Sequence, residues 1–311
     1  MTARFRLVAG FVGLVTGCAL LSGCTTGRPD RTEQAERLKA EVSVLPGVAR
    51  LDVNYTNDFE TGARIGLSVY VPAATEPQIM AIAQRITDIT RGQFDGYQQK
   101  TEFAVGNRAE VTTGAEPDPR QVAEQVRRLR QISSALPTAE ITWNGRKLDL
   151  RDAPVAAVSL AAVRTGLAGE PARVTVLTQD AGPSWEVDFP FTAEQERQLA
   201  EQLTALPVEV SFVALEKGFL SHVNVGVRDP AKAYADLATA IAALHATPAH
   251  PVHLTWHRDG EKDNGLKFAG DVYVAGCEDP RTTGGQDPGK YYTPDAIELQ
   301  GRLRAEFSAC R

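Results

Sequence analysis

The feature that most constrains this chain is a pattern that returns roughly every 40 residues. A stretch with apolar residues at helical spacing is followed by two short stretches in which apolar and polar residues alternate. In the first instance Ala35, Leu38, Val42 and Leu45 recur as on one helical face, and Pro46-Gly47 ends that face. Leu51, Val53 and Tyr55 then alternate with Asp52 and Asn54, and Ile65, Leu67, Val69 and Val71 alternate beyond a turn at Asn57-Asp58. The later instances open on helix-start signals at Thr75-Glu76-Pro77-Gln78, Asp118-Pro119, Pro154, Thr192-Ala193-Glu194-Gln195 and Asp229-Pro230. Each is followed by a hairpin pattern. Those after the second and third helices turn at Gly106-Asn107 and at Asn144-Gly145, and the last spans roughly Val252–Arg258 and Leu266–Ala275.

Six helix–hairpin (αββ) units therefore make up most of the chain. One unit alone has too little core to stand, because a lone hairpin is marginal in water. Two units would form a four-stranded sheet with helices on one face, a stable two-layer arrangement. The expected fold is α+β: repeated αββ units forming antiparallel sheets covered by helices on one face. Two or three such modules fit, and we place them at residues 33–113, 118–190 and 192–275. Residues 276–311 read as a loop rich in glycine, proline and charge, then a final helix from Thr293-Pro294 carrying Ile297, Leu299, Leu303 and Phe307. Whether the sheets join is not legible from periodicity.

The first 24 residues follow a different logic. Arg4 and Arg6 precede Leu7 to Leu21, an uncharged apolar run too short for a comfortable transmembrane helix but long enough for a signal-peptide core. The run ends in Leu21-Ser22-Gly23-Cys24. That segment resembles the lipobox of bacterial lipoproteins: an aliphatic residue, two small residues and a cysteine. The resemblance implies that residues 1–23 are a signal peptide cut before Cys24. It also implies that the Cys24 thiol carries a diacylglyceryl group, that the new amine is acylated, for example by palmitate, and that the chain is anchored on the extracytoplasmic face of the cell membrane. Two or more acyl chains give stable anchoring where one does not. Residues 24–32 would be the lipidated tether. Alanine is abundant and arginine far outnumbers lysine, which together with the lipobox suggests an actinobacterial source.

Two cysteines would remain besides Cys24. Cys277 and Cys310 form an even pair for an oxidising compartment, and a disulfide between them is the simplest expectation. It would close a loop of roughly 34 residues and contribute about 3–4 kcal/mol if unstrained. Removing residues 1–23 takes away two basic and no acidic side chains, leaving 31 against 39, a net charge of −8. A nucleic-acid binder needs a basic face, so no nucleic-acid partner is expected. The membrane, through the anchor, and an envelope protein are the expected partners. The oligomeric state is not legible.

No catalytic residue stands out. There is no G-x-S-x-G, no partnered Ser-x-x-Lys and no glycine-rich phosphate loop after a strand. His245, His250, His253 and His257 crowd into a short stretch, with His222 apart. His253 and His257 share strand parity but would lie about 13 Å apart, too far to share one ion, and we expect no metal and no cofactor. Trp143, Trp185 and Trp256 sit in hairpins and read as packing residues first. The function these features favour is a non-enzymatic interaction or scaffold module of the cell envelope. A carrier of a lipid or other apolar ligand in a sheet–helix cavity, and an envelope enzyme with a dispersed site, are the alternatives.

Overall fold

The computed structural model describes residues 28–58, 60–179, 182–258, 265–277 and 288–309. Cys24 and Cys310 lie outside them, as does the whole of the signal-peptide segment.

In chain order the elements are α1 (Thr32–Ser43), β1 (Arg50–Asp58), β2 (Gly62–Tyr70), α2 (Glu76–Thr90), β3 (Gln98–Ala104), β4 (Ala109–Thr113), α3 (Pro119–Ala135), β5 (Glu140–Asn144) and β6 (Lys147–Ala153). They continue with α4 (Ala156–Leu167), β7 (Ala172–Thr178), β8 (Ser184–Phe189), α5 (Ala193–Thr204), β9 (Glu209–Glu216), β10 (Phe219–Val227), α6 (Ala233–Ala243), β11 (Val252–Arg258), β12 (Ala269–Val274) and α7 (Pro294–Phe307). The start signals act as expected at several helices. Thr75 and Thr192 each form a reciprocal capping box, with Gln78 and Gln195. The Asp118 carboxylate accepts from the N–H groups of Arg120 and Gln121 at 2.9 and 3.1 Å. At Asp229-Pro230 the chain instead turns, and the helix starts only at Ala233.

All twelve strands join one sheet in the order of the sequence, β1 through β12. This corrects the expectation of antiparallel sheets. Each hairpin is antiparallel, but every pairing between successive hairpins, β2–β3, β4–β5, β6–β7, β8–β9 and β10–β11, is parallel. The reason is mechanical. A helix carries the chain back along the sheet, so the next strand starts at the end where the previous one started. The result is a mixed sheet. It runs without a break through residues 114–117 and through Pro190-Phe191, where module boundaries were expected; the β8–β9 joint is short, pairing Ser184–Glu186 with Phe212–Ala214.

The strands bury alternate residues. On β2, Ala63, Ile65, Leu67 and Val69 are buried while Arg64, Gly66, Ser68 and Tyr70 are exposed or partly so. The buried set joins Ile79, Ile82 and Ile86 of α2 and Val122, Val126, Leu129 and Ile132 of α3 in one core. Contacts link α1 to α2, α2 to α3, α3 to α4 and α6 to α7. The α3–α4 approach is close: a Cβ on Gly166 would meet Ile132 Cγ1 at 2.3 Å. On α7, Ala296 and Leu303 are the buried residues, whereas Ile297 is exposed. No described helix is long and apolar enough to cross a membrane.

Candidate functional site

The strand registers align into one row of side chains across the exposed face. Following the cross-strand partners gives Arg50, Tyr70, Ala104, Glu110, Thr142, Asp149, Thr175, Glu186, Ala214, His222, His253 and Tyr273, one residue per strand. Eleven inter-strand steps of about 4.8 Å make this row about 50 Å long. All but Ala214 are exposed or partly exposed.

The row changes character along its length. At the β1 end the Arg50 guanidinium lies over the Tyr70 ring, 3.5 Å from its centroid. The middle is zwitterionic. Lys147 pairs with Asp149 at 3.2 Å, and Arg173 bonds the Glu186 carboxylate through Nε at 2.8 Å. Burial, then the nearby Glu102 carboxylate, pushes the Glu110 carboxyl up, against a weaker opposing pull from Lys100.

The β12 end is aromatic. Phe212, His222, His253 and Tyr273 stand on adjacent strands with ring centroids 5.4, 4.9 and 4.2 Å apart, the last two pairs stacked. His222 Nε2 meets Thr255 Oγ1 at 3.0 Å, and His257 Nδ1 meets Asn224 Oδ1 at 3.0 Å. Burial, then the His253 charge, holds His222 below its ordinary value, with Glu186 opposing more weakly. Burial would raise the Asp271 carboxyl, but the His253 imidazole 3.5 Å away and the Arg304 guanidinium outweigh it and hold the carboxyl low. Arg304 of α7 reaches Asp271 at 3.0 and 3.1 Å.

His253 and His257 do share a face, as their parity predicts. His222 lies apart from the other histidines in the sequence, yet the parallel β10–β11 register places it directly opposite His253. No signal within one strand encodes that neighbour. Among the described residues no group of three or more histidine, cysteine, aspartate or glutamate side chains is placed to hold a metal ion. His245 follows α6 at positive φ, and His250 stacks on Phe219 at 3.5 Å. Trp143, Trp185 and Trp256 are all in the core.

Two further features bear on function. A groove of about 320 Å³ opens between α4 and α5, lined by Ala156, Ala157, Trp185, Ala200, Leu203 and Val210. Val155 and Val158, the residues before Ala156 and after Ala157 in the sequence, are exposed. The described N-terminus is fastened to the sheet by Tyr55, Asn57 and Tyr97. Arg31 N–H donates to Tyr55 Oη at 2.7 Å, Asn57 Nδ2 donates to the Arg28 carbonyl at 3.0 Å, and Tyr97 donates to the Pro29 carbonyl. Burial and the Tyr97 hydrogen bond push the Tyr55 hydroxyl up to about 12. Cys277 is exposed after β12, and Ala309 N–H donates to the Gly276 carbonyl at 3.0 Å.

No protein-family model matches the chain, and neither the curated proteins nor the solved structures contain a significant match to it.

Proposed function

We propose that this is a lipid-anchored envelope protein on the extracytoplasmic face of the membrane, acting without catalysis as an interaction or scaffold module through its exposed sheet face. The observation that carries this is the unbroken row from Arg50 to Tyr273. A surface that offers a cation–π pair, alternating ion pairs and an aromatic column in one line suits an extended macromolecular partner better than a small substrate. Six successive αββ units supply that surface. Their helices form a covering layer on the other side, as the contacts between neighbouring helices suggest. On this reading residues 33–113, 118–190 and 192–275 are segments of one platform.

The lipobox supports the anchor. From Cys24 to Arg28 there are four Cα steps, at most about 15 Å. The corner at Tyr55 and Tyr97 would therefore sit close to the headgroups. The Gly276–Ala309 hydrogen bond supports a Cys277–Cys310 disulfide, since it brings together the neighbours of both cysteines. A net charge of −8 in the mature chain speaks against a nucleic-acid partner.

The test is photo-cross-linking in intact cells, with the reactive residue at Thr142 or His253 and, as a control, at Arg197 on α5. Discrete adducts from the two face positions and none from Arg197 are expected. Equal labelling at all three, or none, would sink the reading. Fatty-acid labelling lost in Cys24→Ala checks the anchor, and a mobility shift on reduction, lost in Cys277→Ser, checks the bridge.

The α4–α5 groove favours a second reading, a carrier of a lipid or another apolar ligand. Native mass spectrometry of protein taken from its membrane would then reveal a bound species absent from an Ala200→Trp variant, whose indole would fill the groove.

A further inference from the structure

The two edges of the sheet are treated differently. At β12 the backbone is occupied by the C-terminal segment. Asp271 N–H donates to Gln300 Oε1 at 3.1 Å, its carbonyl accepts from Arg304 Nε at 3.3 Å, and Ala275 N–H donates to the Phe307 carbonyl at 2.9 Å. At β1 the strand is nine residues long, pairs with β2 without a register shift, and is the last strand of the sheet. Among the described residues nothing pairs with its outer side. Soluble sheets guard such edges with proline, lysine, a bulge or an inward-pointing charge. Arg50-Leu51-Asp52-Val53-Asn54-Tyr55-Thr56-Asn57-Asp58 contains no proline, glycine or lysine. Its core-side positions are Leu51, Val53, Tyr55 and Asn57, none charged, and Val53 and Tyr55 are only partly buried.

We infer that β1 is a self-association edge, on which a second copy of this chain pairs antiparallel about Asn54. The charges select this partner and this register. With Asn54 opposite Asn54, Arg50 of each copy faces Asp58 of the other, and Asp52 faces Thr56. On the core side Val53 of each copy covers Tyr55 of the other. Opposite charges directly across a strand pair are favourable and like charges are not. A shift that centres the pair on Asp52 opposes two carboxylates. A shift that centres it on Thr56 takes Arg50 away from the other copy's Asp58 and leaves it only Asp52 of its own strand, 3.0 Å away. A parallel in-register pair sets Arg50 on Arg50 and Asp52 on Asp52. The antiparallel pair is isologous and closes with two copies, so it does not propagate. The two edges of the joined sheet are then both β12, already occupied by α7.

This inference stands apart from the recognition role proposed for the exposed face and would survive its failure. The test uses the full-length chain in its membrane. Residues directly opposite in an antiparallel pair have Cα atoms about 4.5–5.5 Å apart, within the range a disulfide spans. Asn54→Cys, treated with an oxidant, should therefore give a covalent dimer on a non-reducing gel, while Thr239→Cys on α6 should not. Adding Arg50→Asp should abolish the dimer. Adding Asp58→Arg to that variant should restore it, because the swapped charges face each other again. Arg50 has 58% of its side chain exposed, so folding of each variant is checked by its thermal midpoint. Monomer from folded Asn54→Cys, cross-linking equal to the Thr239 control, or no restoration by the charge swap would each overturn the inference.

Discussion

Two positions show most sharply how single side chains constrain this protein. Gly166 lies on α4 where α3 approaches, and a Cβ there would meet the buried Ile132 side chain at 2.3 Å. Alanine is the better helix former, but a clash with a core side chain outweighs that preference. We expect Gly166→Ala to destabilise by about 1–3 kcal/mol, as overpacked cores do, read in a denaturant melt. His222 gives a pH dependence. Its imidazole is held below the ordinary value of 6.5, so in acid the unfolded chain takes up a proton more readily than the fold does. The stability that neutral His222 contributes is full above about pH 6.5 and is lost as pH falls through its folded value. The thermal midpoint should drop on acidification, and the drop should be smaller in His222→Gln. An equal drop in both would sink the assignment. Neither the Gly166 contact nor the His222–His253 stack was legible in the sequence, because both join residues more than 30 positions apart.

Elements were largely legible. Caps, apolar spacing and turn dipeptides place the helices and hairpins to within a few residues, since each signal is satisfied inside its own element. The Asp118 cap is an instance. Asp118→Ala removes the acceptor for two α3 N–H groups and should cost about 1 kcal/mol, seen as a lower thermal midpoint. The misreadings lie where an element's surroundings decide its face. The apolar spacing puts Ile297 on the core stripe of α7, yet Ala296 and Leu303 are the buried residues and Ile297 is exposed. In that orientation Arg304 reaches Asp271 and Tyr234 meets Arg302 and Glu306, all contacts between α7 and distant parts of the chain.

For the molecule as a whole, the shortest pairing between neighbouring strands among the described residues is that of β8 with β9. The parallel pairing there joins only Ser184–Glu186 to Phe212–Ala214, and the groove between α4 and α5 is lined by a residue of each strand, Trp185 and Val210. Arg164 spans the gap, bonding Glu196 at 2.6 Å and the Phe191 carbonyl at 2.8 Å. Where each strand pairs only with the strands next to it in sequence, stability need not be uniform along the chain. Native-state hydrogen exchange should find separate openings for the elements before and after Pro190. Arg164→Ala should lower the opening free energy of α5–β10 by about 1–2 kcal/mol, the cost of leaving a partly buried carboxylate without its partner. A single opening unit covering all twelve strands would refute this.

The sequence by itself determined the kinds and order of elements, which residues of a strand share a face, and the features that point to an anchor at Cys24. Those depend on near-neighbour spacing and on local backbone chemistry. Only the tertiary structure decided that the six hairpins share one sheet, that the pairings between them are parallel, and that Arg50 through Tyr273 form a single row. Register between strands is set by how whole units pack, and a slip of one residue would turn a strand's side chains to the opposite face. Alternation within a strand tells which residues share a face, and the neighbours across the gap are chosen by the packed core beneath.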